Sequence, residues 1–136
     1  MSRQPEAPIA AQVEELLAGM IAGARGRDPA RIRAAYAPRP IVAMNGVILA
    51  DFDARFATTE GWLGSLRSLD ATYDNIHLEL LASDAAVATM NHHLRWIDAT
   101  GALGEWHSAW TAVFQRHGDA LRIIYAHEST DPSPTQ

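Results

Sequence analysis

The spacing of the apolar residues changes near Asp70, and this change constrains the fold more than any other feature of the sequence. Before Asp70 the apolar residues recur every three or four positions, which is the period of an amphipathic helix. After Asp70 they alternate with polar residues, which is the period of a β-strand. The sequence therefore predicts an α+β domain with its helices first and an antiparallel sheet after them.

Three helices are predicted in the first half of the chain. The stripe of the first is Ile9, Val13, Leu16, Leu17, Met20, Ile21 and Ala24, and this helix ends within residues 23–26. Asp28-Pro29 supplies an N-cap and a first-position proline for the second helix, which must end before Pro38. We expect it to carry Ile32, Ala35 and Tyr36 inward. Asp51 or Asp53 caps the third, which ends near residues 68–70 and has the stripe Phe56, Leu63, Leu66 and Leu69.

The remaining segments read as strands. Residues 41–44 and 47–50 flank Asn45-Gly46, a dipeptide typical of a type I′ hairpin turn. Four longer strands are predicted at residues 72–81, 85–97, 105–116 and 121–129. Their connections are short, so they should be sequential antiparallel neighbours. We expect one domain spanning residues 1–136, with an ordered core of about residues 8–130.

Composition excludes several functions. The formal net charge of −5 argues against nucleic acid as a partner, because phosphate binding needs a basic surface. One local exception is Arg25, Arg27, Arg31 and Arg33, which suit either an anion site or a solvated turn near the carboxyl end of a helix, where the dipole favours cations. There is no cysteine, and no apolar run approaches the ~20 residues that cross a bilayer. We therefore expect a cytoplasmic protein that does not bind membranes.

The adjacent histidines His92 and His93 suggest a metal site at first. Neighbouring residues on a strand point to opposite faces of the sheet, so these two cannot both ligate one ion from one side. The sequence also lacks the glycine-rich loops that bind nucleotides. We expect neither a metal nor a cofactor.

A small-molecule site is predicted from the strand register. A turn centred on Asp119 pairs Trp110 with Glu128, and a hairpin around Gly101 pairs His93 with Trp110. One face then carries His93, Glu128 and Asn91, which we predict to be catalytic, because a histidine beside a carboxylate can act as a general base. The predicted substrate-binding residues are Tyr36, Trp62, Arg95, Trp110 and Phe114.

Two alternatives stay open at this point. His93 and Glu128 can instead satisfy each other in the core, with no role in chemistry. A slip of one residue in the Gly101 loop would also turn His92 toward the site and His93 away from it.

The opposite face of the predicted sheet is too apolar to remain in contact with water. It carries Met90, His92, Leu94, Thr111, Val113, Tyr125 and His127. A large exposed apolar patch usually marks an interface, and most oligomers are symmetric. We therefore predict a homodimer through this face.

The element order and the last strand resemble the nuclear transport factor 2-like superfamily. The likeness rests on residues 111–114, on Gly118-Asp119 and on residues 121–129; Leu121 replaces the usual tryptophan and Tyr125 the first histidine, while His127 and Ser129 match. This group includes the SnoaL-like cyclases, ketosteroid isomerases, scytalone dehydratases and the association domain of calmodulin-dependent kinase II. The resemblance implies a cone-shaped fold, pairing of sheets in a dimer, and a pocket between sheet and helices.

The catalytic residues of these relatives mostly do not carry over. Where the isomerases resembled have a tyrosine, an aspartate base and a second acid, this chain has Met20, Met44-Asn45 and Trp110. The kinase domain's pocket arginines fall on Asn91, Ala112 and Glu128. Two hypotheses from different classes result. One is a proton-transfer enzyme (a cyclase, dehydratase or isomerase) acting on a small hydrophobic or polyketide-like compound. The other is a non-catalytic binding or accessory module that acts as a dimer.

Overall fold

The computed structural model describes residues 8–131, which form three helices and one six-stranded sheet. The helices are α1 (Ile9–Arg25), α2 (Pro29–Arg33) and α3 (Phe52–Ser65). The strands are β1 (Tyr36–Met44), β2 (Val47–Ile48), β3 (Ser68–Ala82), β4 (Ala85–Ile97), β5 (Leu103–His117) and β6 (Ala120–Thr130), in the spatial order β2-β1-β6-β5-β4-β3. The α+β class and the four consecutive antiparallel long strands are confirmed. No helix in these residues has the length and hydropathy needed to span a membrane.

The sheet is mixed, because β1 pairs with β6 in parallel. The prediction that Tyr36 lies on the inner side of the second helix is wrong: α2 ends at Arg33 and Tyr36 begins β1. Pro38 and Pro40 lack the N–H that a strand ladder uses, and the β1–β6 register breaks between Tyr36 and Ile41. The Asn45-Gly46 turn is confirmed, with φ values of 49° and 85°.

The third helix also ends earlier than expected. Leu66 has extended backbone angles (φ −84°, ψ 146°), so α3 ends at Ser65, and Leu69 lies in β3. Asp51 is the cap, since its side chain accepts a hydrogen bond from the backbone N–H of Ala54 at 3.1 Å. Leu66 and Leu69 are nevertheless buried, in one cluster with Leu63.

The register of the β4–β5 hairpin differs from the predicted one. Met90, not His93, lies opposite Trp110, and His92 lies opposite Ser108. The cause is the connecting turn, where the Asp98 carboxylate accepts hydrogen bonds from the backbone N–H groups of Thr100 (2.8 Å) and Ala102 (3.0 Å). The predicted pairing of Trp110 with Glu128 in the next hairpin is confirmed.

The core lies between α1 and the centre of the sheet. Ala86, Ala88 and Ala112 are fully buried there. α1 contributes its stripe to this core, with Ile9, Val13, Leu17 and Met20 buried. The other end of the sheet is covered by α3, and the packing leaves a cavity at that end.

A close packing contact at Gly104 provides a test of this fold. A Cβ atom at Gly104 would overlap the indole ring of Trp96, which is fixed edge-on against Trp62 at 5.2 Å between ring centroids. We expect Gly104→Ala to lower the free energy of unfolding by about 1–3 kcal/mol, because the ring must be displaced. The measurement is urea denaturation followed by circular dichroism.

The control is Gly61→Ala in α3, where a Cβ atom meets nothing within 4 Å. This substitution should raise the free energy of unfolding by about 0.5–1 kcal/mol, since alanine favours the helix. Equal stability of the two variants would contradict the packing of Trp96 on Gly104.

Candidate functional site

A cavity of about 200 Å³ lies between the helices and the inner face of the sheet. Its walls are mainly apolar, and the aromatic residues among them are Tyr36, Phe52, Phe56, Trp62, Tyr73 and Trp110. Few polar side chains reach it, and His92 and Glu128 lie together on the sheet side. An apolar cavity with a few converging polar groups is the usual form of a small-molecule site.

The polar centre of the site is the Glu128 carboxylate. Its Oε2 atom accepts a hydrogen bond from Ser108 Oγ at 2.5 Å and lies 3.1 Å from His92 Nδ1. Ser108 is buried, and the side chains of His92 and Glu128 are 17% and 16% exposed. An ionised carboxylate only accepts hydrogen bonds, so this contact favours the tautomer of His92 with the proton on Nδ1. In that tautomer Nε2 has the free lone pair.

Three adjacent strands bring these side chains together. His92 on β4 lies directly opposite Ser108 on β5, and Glu128 on β6 lies opposite Trp110, two residues further along β5. All three point to the inner face, because neighbours across strands share a face. The β1–β2 turn supports the end of β6, where the backbone N–H of Asn45 donates to the Glu128 carbonyl at 3.0 Å.

Two tyrosines complete the polar end. Burial raises the pKa of both the Tyr36 and the Tyr73 hydroxyls well above the ordinary value, and the nearby charge of Glu128 raises both further. Tyr73 also stacks on His92, with ring centroids 4.7 Å apart, and on Trp110 at 5.6 Å. Neither hydroxyl bonds to another protein group within residues 8–131. Both are therefore protonated donors available to a ligand.

The structure gathers only part of the predicted site at this cavity. Tyr36, Trp62, Trp110 and Glu128 line it as expected. Phe114 does not line it, because this side chain is fully buried in the core beneath α1.

The remaining predicted residues lie on the other face of the sheet. Asn91, His93 and Arg95 alternate with His92, and their placement at the site is wrong because of the β4–β5 register. His93 contacts His107 through the two Nδ1 atoms and Asp74 at 3.4 Å, while Arg95 pairs with Glu105 at 3.2 Å. Met90, His92 and Leu94 correspondingly leave the predicted dimer face and point inward.

The sequence-based prediction missed Ser108 and Tyr73; it placed His92 on the outer face and kept its inward orientation as an alternative. The signal for His92 and Ser108 was the Asp98-x-Thr100 turn, because a hairpin centred on Thr100 places these two residues opposite each other. No comparable local signal marks Tyr73, whose position depends on the pairing of β3 with β4. Within residues 8–131, no group of three or more His, Asp or Glu side chains is arranged to bind a metal ion.

Comparison with solved structures identifies the fold. A candidate scytalone dehydratase from Novosphingobium aromaticivorans superposes with a TM-score of 0.81 at 13% sequence identity, covering 90% of this chain and 84% of that one. A nuclear transport factor 2-like superfamily protein from Salmonella enterica gives a TM-score of 0.72 at 16% identity, covering 96% of each chain. A hexachlorocyclohexane dehydrochlorinase from Novosphingobium barchaimii gives 0.72 at 10% identity, covering 90% of this chain and 86% of that one.

These matches show that the chain has the nuclear transport factor 2-like fold, as the sequence motif implied. No protein-family model and no curated protein matches the sequence. At such low identity the likeness establishes the fold alone, so the site must be interpreted from its own geometry.

The buried tyrosines generate a test of the site. An unfolded tyrosine ionises near pH 10, whereas Tyr36 and Tyr73 have raised pKa values in the folded protein. Their contribution to stability is therefore complete below about pH 10 and is lost as the pH rises further. An ultraviolet titration should show two tyrosines that ionise only when the fold is lost. Tyr36→Phe and Tyr73→Phe should each remove one of these late ionisations, and early ionisation of both would contradict the buried site.

Proposed function

We propose that the protein is an enzyme that removes a proton from a carbon atom of a small organic substrate and eliminates water, with His92 as the general base. The contact between His92 Nδ1 and Glu128 Oε2 at the cavity carries this proposal. It also fits the names of two proteins with the same fold, a candidate scytalone dehydratase and a dehydrochlorinase, since both names denote eliminations.

Glu128 acts on His92 in two ways. It holds the imidazole in the tautomer with the proton on Nδ1, which leaves Nε2 as the base, and it stabilises the imidazolium that forms. Ser108 donates to the same carboxylate oxygen and so acts as a positioning residue. Ser108, Glu128 and His92 thus form one hydrogen-bonded chain at the cavity.

The tyrosines supply the complementary half of the chemistry. Removing a proton next to a carbonyl group puts negative charge on the carbonyl oxygen, and the hydroxyls of Tyr36 and Tyr73 are protonated donors beside it. The electrons of the broken C–H bond then form the C=C bond, and the C–O bond of a β-hydroxyl group breaks. The departing oxygen takes the proton that His92 accepted, so water leaves and the imidazole is neutral again.

A matched pair of histidine variants tests this function. The assay follows 4-hydroxy-4-phenylbutan-2-one, a one-ring β-hydroxy ketone whose loss of water gives a strongly absorbing conjugated ketone. We expect His92→Gln to lower kcat by about 10²–10⁴, the usual contribution of a general base. His93→Gln should keep kcat within about twofold, since His93 lies on the other face of the same strand.

Rate and binding measurements together separate the alternatives. Equal rates for the two variants would show that His92 is not the base. If the ketone binds to the wild type but is not converted, the non-catalytic binding module is the better description.

We also propose a homodimer through the outer face of the sheet. With the register corrected, this face carries Val87, Thr89, Thr111, Val113, Tyr125 and His127, with Asn91, His93 and Arg95 nearer the β4–β5 turn. Tyr125 is 43% exposed, and α1 packs on the opposite, inner face. Burying such a surface against a second copy fits the symmetry of most oligomers.

Light scattering tests the dimer. The wild type should have the mass of two chains at micromolar concentration, and Tyr125→Glu should give a monomer, because the two-fold axis would place the two new charges close together. Leu80→Glu is the control, since Leu80 is 60% exposed and pairs with the inner-facing Ala86, on the side of the sheet opposite to this face. A wild-type monomer, or a dimer disrupted equally by Leu80→Glu, would contradict the proposed interface.

A further inference from the structure

The pocket-lining side of α3 contains one charged residue. Phe52, Phe56, Thr59 and Leu63 recur at helical spacing and line the cavity, and Arg55 lines it from the same helix. Arg55 is exposed, whereas Phe56 and Leu63 beside it are buried. Arg55 therefore lies where the cavity opens to solvent.

The charge of Arg55 is not used by the fold. Its side chain forms no hydrogen bond or ion pair with another residue in the range 8–131. The neighbouring Arg33 is different, because it pairs with Asp53 at 2.8 Å, donates to backbone carbonyls of β1 and lies over the ring of Phe52. An arginine without a partner at the mouth of a cavity is available to a ligand.

The interior of the cavity, unlike its mouth, has no arginine or lysine side chain from residues 8–131. No Lys or Arg other than Arg55 lines it, and the Glu128 carboxylate lies at its polar end. A ligand anion placed deep in the cavity would lose its hydration and meet a like charge. An anion at the mouth would remain partly hydrated and would meet the planar donors of Arg55.

We propose that the substrate carries a carboxylate that binds Arg55 at the mouth of the cavity, while its uncharged oxygenated end reaches His92, Tyr36 and Tyr73. The cavity of about 200 Å³ suits a body of one ring, because an engineered cavity of about 150 Å³ holds benzene. The assignment of the reacting end rests on the proposed function, but the carboxylate subsite can be tested by binding alone.

Isothermal titration calorimetry with two probes of the same shape tests this subsite. 4-Acetylbenzoate and 4-acetylbenzamide share an acetyl group for the polar end and differ in charge at the opposite end of the ring. The wild type should bind the benzoate about fivefold more tightly, the most that a partly exposed ion pair supplies. Arg55→Gln should abolish this preference and leave the affinity for the benzamide unchanged.

The controls separate this inference from the proposed function. Arg39→Gln removes an exposed arginine of β1 that does not line the cavity, and it should keep the preference for the benzoate. His92→Gln should also keep it, even if turnover is lost. The preference should decrease as salt is added. Equal affinity of the wild type for both probes would overturn the Arg55 subsite without affecting the role of His92. Failure of both probes to bind at millimolar concentration would exclude one-ring acids of this shape.

Discussion

The site depends on the phase of side-chain alternation along three adjacent strands. His92, Ser108 and Glu128 can meet only if β4, β5 and β6 all present these residues to the inner face. Two local irregularities set this phase. The Asp98 turn fixes β4 against β5, and Ile124 is an extra residue in β6 opposite Phe114 and Val113. Without this bulge the alternation that buries Ile123 would continue with Tyr125 and His127 inward, and Glu128 would face outward.

The same alternation places the packed core at one end of the inner face and the candidate site at the other. Toward one end of the inner face, apolar side chains of β4, β5 and β6 form the buried core beneath α1. Toward the other end the inner side chains are larger and polar, and α3 covers them at a greater distance. Because β4 and β5 run through both regions, the rigid core positions the polar residues of the site.

The parts of the fold that the sequence predicted correctly depend on local signals. The switch of period near Asp70, the Asn45-Gly46 turn and the Asp51 cap are all encoded by neighbouring residues, and the structure contains each of them. The β4–β5 register was not predictable from periodicity, because a loop of several residues tolerates more than one pairing. The parallel pairing of β1 with β6 was missed for a related reason, since it joins segments about 80 residues apart in the chain and leaves no local pattern.

The candidate site was predicted in outline but not in detail, because its details depend on the strand register. The pairing of Trp110 with Glu128 was derived correctly, so the carboxylate and an aromatic wall were found. His93 was chosen instead of its neighbour His92. The two lie one step apart on the strand, and one step exchanges the two faces of the sheet. Composition alone could not decide between His92 and His93; the Asp98 turn decides it.

The position of Glu128 shows how stability and function are connected in this chain. A carboxylate among aromatic side chains loses much of its hydration, and this loss is offset by the donors Ser108 and His92. An apolar residue would need neither donor, so the fold alone gives no reason for all three polar groups to be there. The hydroxyls of Tyr36 and Tyr73 have no partner among residues 8–131, and the charge of Glu128 raises the pKa of both. Polar groups that face a cavity with hydrogen-bonding capacity to spare can offer it to a ligand, and this supports the proposed location of the chemistry.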